Sequence, residues 1–350
     1  MRLSYVFLLS GLFLCYVATA QDNPEKKGSN DDIKLANKLY NESLEHYQQS
    51  SFIESISLLN KAIMLRADFH QALYNRACIR IGMNSFAEAL EDINTAISIQ
   101  PEAEYFSTKG YILQKTGDYE KSFEAYSLAI KTNPNMSEAY FRRGGLFAGQ
   151  NNHTSALTDL DRAIDLKNDY AVAYHERGCV RLLMNDLQGA ESDLTKAVSF
   201  DPSMAISYNN LGKVKEQQGD LKAAAEYYTA ALKMDPRFAD AYINRAGIHY
   251  KTENFDDAID DYTKVLAVDS KNHYAINNRG LARYMRGDLP GAIEDFSQAI
   301  IMNADYAEAW LNRGIVKEMQ RDEKGACIDW SKASGLGNAE ATIYNSDHCQ

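Results

Sequence analysis

Three side chains with different chemistry recur together at a fixed interval along the chain. The triplet Asn-Arg-Gly occurs at 278–280 and 312–314, and Asn-Arg-Ala occurs at 75–77 and 244–246. An asparagine amide both donates and accepts hydrogen bonds, whereas a guanidinium forms two parallel bonds to a carboxylate. The interval of 34 residues between the last three triplets poses the question of which side chain binds a ligand and which stabilises the fold.

The arginine of the triplet has an aspartate partner 16 residues further along the chain. Six pairs share this spacing: Arg76–Asp92, Arg143–Asp159, Arg177–Asp193, Arg245–Asp261, Arg279–Asp295 and Arg313–Asp329. Three further segments lack both members, with Glu42, Lys109 and Leu211 at the arginine position and Leu58, Ala125 and Tyr227 at the aspartate position. Pairing with the preceding segment would place arginines opposite those uncharged residues. We therefore predict an ion pair within each segment, at a partly buried helix interface.

Self-similarity at this interval decides the fold. The stretches that begin at Gly117, Gly219 and Gly287 each show a turn, then small and apolar residues at helical spacing. The upstream half of each segment has helical spacing as well, so the sequence predicts repeats of two helices joined by a short turn. Nine repeats, numbered 1 to 9 below, cover 36–69, 70–102, 103–136, 137–170, 171–204, 205–238, 239–272, 273–306 and 307–340.

This pattern resembles the tetratricopeptide repeat. Position 8 of repeats 2 to 9 is small, as at Ala77, Gly212 and Gly280, and position 32 is Pro at Pro101, Pro134, Pro202 and Pro236. The resemblance implies an all-α fold, a right-handed α-solenoid superhelix of nine helix-turn-helix units over 33–340. A C-terminal capping helix follows, and its end and the tail lie within 341–350. The C-terminal run from Cys327 also resembles the last repeats of exported tetratricopeptide proteins in Bacteroidetes-type bacteria.

The same resemblance implies that position 6 of each first helix faces a concave groove. Asparagine occupies this position in most repeats, and regularly spaced amides are suited to bind an extended peptide backbone. The predicted ligand-binding residues are Asn75, Asn210, Asn244, Asn278 and Asn312, with their neighbours Asn209, Asn277, Lys213 and Tyr284. Alternatively, these asparagines solvate a helix face or are only repeat consensus.

Aromatic side chains in the earlier repeats belong to the same groove-facing positions. The residues concerned are Tyr74, Tyr111 and Phe141, together with Arg142 and His175; they either line the groove or pack inward. Arg142 matches the last arginine of the family's clamp for a terminal carboxylate. Glu138 and Thr108 replace other clamp residues. A receptor for chaperone tails is therefore disfavoured.

The N-terminus has the pattern of an exported protein. Arg2 precedes an apolar stretch that ends in Ala-Thr-Ala, which predicts a signal peptide over 1–20 and a flexible polar tether over 21–32. A lipid anchor at Cys15 is the alternative, disfavoured because Leu14 stands where such sites carry a small residue. No later stretch has transmembrane length. Export permits disulfides, and Cys327 and Cys349 are the candidate pair.

Charge and motifs exclude several classes of function. A net charge of −11 without a cluster of Lys and Arg argues against nucleic acid as a partner. Phosphate loops, nucleophile elbows and metalloprotease motifs are absent from the sequence, and no cofactor or metal site is predicted. We expect a non-enzymatic scaffold or adaptor that binds protein or peptide in its groove, in the periplasm or secreted at the cell envelope. The alternatives are a structural subunit of an envelope or secretion complex and a docking factor for cell-wall or glycan enzymes.

Overall fold

The computed structural model describes residues 29–349. Within that range the regular secondary structure is entirely α-helical. The nineteen helices found there are α1 (Asn30–Gln48), α2 (Phe52–Leu65), α3 (His70–Gly82), α4 (Phe86–Ile99), α5 (Ala103–Lys115), α6 (Tyr119–Thr132), α7 (Ser137–Gly149), α8 (His153–Leu166), α9 (Ala171–Leu183), α10 (Leu187–Phe200), α11 (Ala205–Gln217), α12 (Leu221–Met234), α13 (Ala239–Lys251), α14 (Phe255–Val268), α15 (His273–Arg286), α16 (Leu289–Met302), α17 (Ala307–Met319), α18 (Glu323–Gly335) and α19 (Ala339–His348).

Odd-numbered helices from α1 to α17 are the first helices of repeats 1 to 9, and even-numbered helices are the second helices. Between them, position 15 of every repeat has a positive φ, as at Asn84, Gly117 and Gly287. Glycine and asparagine adopt this left-handed conformation at little cost. In six of the nine repeats the side chain of the next residue caps the second helix, as when the Asp288 side chain accepts a hydrogen bond from the Gly291 amide. In most repeats these local preferences separate the two helices.

Small residues allow the two helices of a repeat to approach closely. At position 8, Gly280 faces Phe296 of the second helix, and a Cβ on the glycine would lie 2.8 Å from the Phe296 ring. Alanines at positions 20 and 27, such as Ala292 and Ala299, are fully buried. Because no single pair can cover its apolar stripe, each pair stacks on the next, as when Ile276 of α15 packs with Ala309 of α17.

The chain divides into two compact units. The first, 1–184, includes repeats 1 to 4 and α9, and the second, 185–350, includes α10, repeats 6 to 9 and α19. Ile93 and Tyr105 lie in a core of the first unit, and Tyr262 and Ala275 lie in a core of the second. The expected all-α, α-solenoid class is confirmed.

The predicted tether is too long at its C-terminal end. Helix α1 begins at Asn30, because Ser29 accepts a hydrogen bond from the Asp32 amide and the Asp32 carboxylate accepts one from the Ser29 amide. The predicted signal peptide, the Cys15 alternative and the rest of the tether lie outside the described residues. No helix within 29–349 has the length and apolar character needed to cross a membrane.

Candidate functional site

The structure brings together the arginine and aspartate predicted to pair in five repeats. Nε and Nη2 of the guanidinium donate to the two carboxylate oxygens, at 2.7–3.0 Å in Arg143–Asp159, Arg245–Asp261, Arg279–Asp295 and Arg313–Asp329. Arg76 and Asp92 form the same bidentate pair. The aspartates are almost fully buried, so the pair lies inside the helix interface. Arg177 belongs to the first compact unit and Asp193 to the second, and this pair stays a prediction.

The arginine also reaches the preceding repeat, which the sequence argument did not anticipate. Its Nη1 donates at 2.6–3.4 Å to a side-chain oxygen at position 25 of that repeat, namely Asn60, Ser127, Asp161, Thr229, Thr263 or Ser297. The predicted Arg–Asp pair within one repeat is unaffected by this contact, because the prediction concerned position 23 and the additional acceptor lies at position 25 of the preceding repeat. One guanidinium therefore joins three helices. The signal was present in the sequence, since every residue opposite such an arginine carries a side-chain oxygen.

Repeats 3 and 6, which lack the ion pair, join their helices through a tyrosine. Tyr126 donates to Gln114 Oε1 at 3.1 Å, and Tyr228 donates to Glu216 Oε2 at 3.0 Å. Burial raises the pKa of both phenols well above the usual range, and the nearby Glu216 carboxylate adds to the effect at Tyr228. Each ring packs on a glycine at position 8, and a Cβ on Gly212 would lie 2.5 Å from the Tyr228 ring.

Two asparagines of the triplet bind asparagines of the preceding first helix. Asn244 Nδ2 donates to Asn209 Oδ1 at 2.9 Å, and Asn312 Nδ2 donates to Asn277 Oδ1 at 3.1 Å. These partners lie 35 residues apart, so position 6 of one repeat bonds to position 5 of the repeat before it. The sequence contains the signal, since both pairs of asparagines have that spacing. The amides are therefore part of the scaffold as well as candidates for the groove.

Asn278 differs from Asn244 and Asn312 because Ile243 occupies position 5 of the repeat before it. An aliphatic side chain offers no acceptor, and Asn278 instead lies near the buried phenol of Tyr262 and accepts a hydrogen bond from Asn277 Nδ2 at 3.3 Å. In the first unit, Asn75 Nδ2 donates to the Tyr40 hydroxyl at 2.8 Å, again across 35 residues. The residue at position 5 of the preceding repeat therefore determines which partner the asparagine at position 6 binds.

Burial separates the predicted ligand-binding residues into two groups. Asn75, Asn209, Asn210 and Asn277 are at most 5% exposed, so they offer a ligand almost no surface. The partly exposed members are Asn244, Asn278, Asn312, Lys213 and Tyr284, all in the second unit. Only the partly exposed residues stay candidates for ligand contact.

The groove-facing aromatic positions of the first unit pack inward. Tyr74, Phe141 and His175 are all buried, and burial raises the pKa of Tyr74 to about 12. Arg142 is 6% exposed, pairs through Nε with Glu138 Oε1 at 2.6 Å, and lies 4.8 Å from the centroid of the Tyr111 ring. With its charge neutralised inside the protein, this arginine is not positioned to receive a terminal carboxylate.

The C-terminal helix is attached to the last repeat by a covalent bond and by ring stacking. Cys327 of α18 forms a disulfide with Cys349, which directly follows α19. Trp330 stacks on Tyr344 with centroids 5.0 Å apart, and His348 Nδ1 lies 2.9 Å from Glu318 Oε1. Helix α19 therefore covers the end of the last repeat. Across residues 29–349, no group of His, Cys, Asp and Glu side chains is arranged to hold a metal ion.

Family models match most of the repeats. A model described as tetratricopeptide repeat matches 107–171, 176–236 and 209–275, a second of the same description matches 70–102, and a model described as TPR repeat matches 280–320. A TPR repeat-containing protein of Methanocaldococcus jannaschii is 33% identical over 101 residues, which is 29% of this chain and 18% of that protein.

Two further similarities extend the comparison. The Hsp70-Hsp90 organizing protein of Triticum aestivum is 28% identical over 108 residues, 31% of this chain and 19% of that protein. The structure of PilF from Pseudomonas aeruginosa matches 63% of this chain and 97% of its own with a TM-score of 0.54 at 16% identity. The chain spans about a fifth of the length of the Methanocaldococcus jannaschii and Triticum aestivum proteins.

Proposed function

Because the chain belongs to the tetratricopeptide repeat family, we propose that it is a non-enzymatic scaffold that binds an extended protein segment along the first helices of its second compact unit. Proteins of this family generally act as protein-interaction scaffolds. The observation that carries the proposal is the series of partly exposed amides at Asn244, Asn278 and Asn312, on three consecutive first helices.

Two of these amides retain hydrogen-bonding capacity after their bonds within the protein are made. Asn244 and Asn312 each use one Nδ2 hydrogen to bridge to the preceding helix. An amide has two donors and an acceptor oxygen, so each keeps Oδ1 and one N–H for a ligand. The bridging bond also fixes the side-chain rotamer, which reduces the entropy lost when a peptide backbone binds.

The proposed location is an exported compartment, the periplasm or the cell envelope. The support is the signal-peptide pattern of 1–20 and the disulfide between Cys327 and Cys349, a bond that persists in oxidising compartments. N-terminal sequencing of the protein recovered from its host tests this proposal. A mature N-terminus at Gln21 supports export, and an intact N-terminus in the cytoplasm contradicts it.

A structural subunit of an envelope or secretion complex is the second candidate. Its support is exposed apolar surface near the C-terminus, where Ile301 is 78% exposed and Ile328 and Ile343 are both 61% exposed. Exposed apolar side chains mark protein contacts where they form a contiguous patch. A docking factor for cell-wall or glycan enzymes is a version of the scaffold proposal with a particular partner, and no residue of the chain favours it.

Affinity capture with crosslinking from envelope extract of the host tests the scaffold proposal, with the chain 21–350 as bait. The variant N244A/N312A removes the two amides from the groove. Its matched control, N209A/N277A, breaks the same two inter-helix bonds from their buried side and leaves Asn244 and Asn312 in place. Circular dichroism verifies that both variants fold.

We expect a partner that crosslinks to the parent and to N209A/N277A but not to N244A/N312A. Loss of the partner from both variants would mean that the inter-helix bonds act only by holding the groove in shape. Retention of the same partners by both variants would overturn the proposed site, and the triple variant I301D/I328D/I343D would then test the complex-subunit alternative.

A further inference from the structure

A row of three side chains lies beside the partly exposed asparagines of the second compact unit. This position-2 row consists of Asp240, Tyr274 and Glu308, at the same position of the consecutive first helices α13, α15 and α17. Each member precedes an asparagine at position 6 by four residues, so the two lie on the same face of their helix. A segment bound by the asparagines therefore passes beside the position-2 row.

Tyr274 is the exposed member of a small cluster of aromatic rings. It is 59% exposed, although its ring centroid lies 4.3 Å from that of His273 and 5.1 Å from that of Tyr306. Tyr306 is partly buried and also contacts His273, with centroids 5.2 Å apart. The two neighbouring rings therefore support Tyr274 while more than half of it stays open to solvent. The face of such a ring attracts a cation.

The protein does not supply that cation from His273. Asn303 Oδ1 accepts a hydrogen bond from the Asp305 amide at 3.1 Å, which identifies Nδ2 as the atom 3.3 Å from His273 Nε2. An amide nitrogen only donates, so Nε2 accepts and the imidazole is neutral in this arrangement. Among the residues that the structure describes, no Lys or Arg lies over the Tyr274 ring. The ring is therefore available to a cation from a partner.

Carboxylates on both neighbouring first helices add negative charge. Asp240 is partly exposed and Glu308 is exposed, and in the described part of the chain neither forms an ion pair. Burial raises the pKa of the Tyr306 phenol above its usual range, and the charge of Glu308 adds to this effect, which places that carboxylate near the ring cluster. Acidic residues in a first turn also complement the helix dipole, but that reason does not apply to the exposed Tyr274 between them.

The chain itself shows which side chain fits a ring beside a carboxylate. Arg245 lies 5.7 Å from the centroid of the Tyr242 ring and at the same time binds both oxygens of Asp261 at 2.7–2.8 Å. A planar guanidinium stacks on a ring and still donates in its own plane, whereas an ammonium does not combine the two contacts in this way. Arginine is therefore the side chain that best complements the position-2 row.

We propose that the position-2 row binds an arginine side chain of the extended segment, stacked on Tyr274 and paired with Asp240 or Glu308. This inference rests on the proposed scaffold function and names the chemistry of its partner. The asparagines bind a peptide backbone without distinguishing its side chains, and the position-2 row selects a basic one.

The test is saturation-transfer NMR on the chain 21–350, with N-acetyl-Gly-Ser-Arg-Ser-Gly-amide as the probe at millimolar concentration. The same peptide with citrulline in place of arginine keeps the shape and removes the charge. Tyr274→Leu removes the ring, Tyr274→Phe keeps it, and D240N/E308Q removes the carboxylates. The matched control D260N/E294Q removes two exposed carboxylates from the second helices α14 and α16. Circular dichroism verifies that all variants fold.

We expect the arginine peptide to bind the parent, Tyr274→Phe and D260N/E294Q alike. Its dissociation constant should be at least about fivefold higher with Tyr274→Leu and with D240N/E308Q, and the citrulline peptide should bind the parent as weakly. Equal saturation of the arginine and citrulline peptides by the parent would overturn the proposal, as would unchanged binding by Tyr274→Leu.

The capture experiment separates this site from the scaffold proposal. A partner that is retained by Tyr274→Leu and lost from N244A/N312A would support the scaffold and overturn the arginine site. A partner retained by N244A/N312A and lost from Tyr274→Leu would support the arginine site and overturn the role of the amides.

Discussion

Repeats 8 and 6 join their two helices by different chemistry on the same backbone. In repeat 8, Arg279 binds Asp295 through two bonds, and Arg283 approaches the same carboxylate at 3.0 Å. Repeat 6 has Leu211 and Tyr227 at the pair positions, and its helices are joined instead by the Tyr228 bond to Glu216. In both repeats the glycine at position 8 packs against an aromatic ring of the second helix.

The difference teaches that close packing defines the repeat, whereas the polar link is replaceable. Gly212 faces Tyr228 and Gly280 faces Phe296, and in both cases a Cβ would fall within 2.8 Å of the ring. An ion pair adds directional bonds to the interface but requires burial of two charges. A phenol needs only one acceptor. Four experiments would break or sharpen this comparison.

The largest expected effect is that of Asp295→Ala. It leaves Arg279 and Arg283 without their carboxylate, and loss of one partner of a buried ion pair costs about 3–5 kcal/mol. Tyr227→Ala, at the same position of repeat 6, is expected to cost under about 1 kcal/mol as a partly exposed substitution. Urea unfolding followed by circular dichroism measures both. Equal losses would show that the ion pair does not stabilise repeat 8.

A second comparison concerns the number of cations at each aspartate. Asp159 pairs with Arg143 and has Phe147 at the position that holds Arg283 in repeat 8. Arg143→Met should therefore cost about 3 kcal/mol because the buried carboxylate loses its charged hydrogen bonds. Arg279→Met should cost about half as much, since Arg283 stays beside Asp295. The urea midpoints of the two variants provide the measurement, and the reverse order would contradict the argument.

Gly212→Ala tests the close approach in repeat 6. The added methyl meets the Tyr228 ring, and overpacking of this kind costs about 1–3 kcal/mol. Tyr228→Leu should relieve the strain, because Leu160 already lies opposite Gly144 in repeat 4 with a looser Cβ distance of 3.1 Å. A double-mutant cycle is expected to show a favourable coupling. Additive losses would mean that the Tyr228 ring moves aside without strain.

The smallest effect at neutral pH is expected for Tyr262→Phe, which removes a buried phenol hydroxyl near Asn278 and should cost at most about 1 kcal/mol. Burial raises the pKa of Tyr262 to about 12 from an ordinary value of about 10. The folded state therefore favours the neutral phenol. That stability is fully present below pH 10 and is lost as the pH rises through 12.

Thermal unfolding between pH 9 and pH 12 tests whether folding stability falls as the pH rises. The parent should lose more stability than Tyr262→Phe over that range, and the two melting temperatures should converge as the pH rises. Phe296→Tyr would place a phenol at the same position in repeat 8 and should make that repeat sensitive to alkali. A parallel fall for the parent and Tyr262→Phe would show that this phenol does not titrate in the folded protein.

Much of the scaffold could be predicted from the sequence, because its signals lie at fixed repeat positions. The helix pairs, the turn at position 15 and the joint occurrence of Arg76 with Asp92 are all visible in one chain. The third bond of the arginine was missed because only one neighbouring position was considered. The exposure of the asparagines could not be read in the same way, since Asn244 and Asn209 are chemically identical and differ only in burial.

The sequence by itself determined the number of repeats, their two-helix form and the pairing of charges within each repeat. The physical reason is that these features depend on spacing along one helix or between two adjacent helices. The tertiary structure alone decided which amides are exposed, that Tyr74 and Arg142 turn inward, and that Gly145 and Gly149 line a cavity. Those outcomes depend on the volume and hydrogen-bonding capacity of side chains that only the fold brings together.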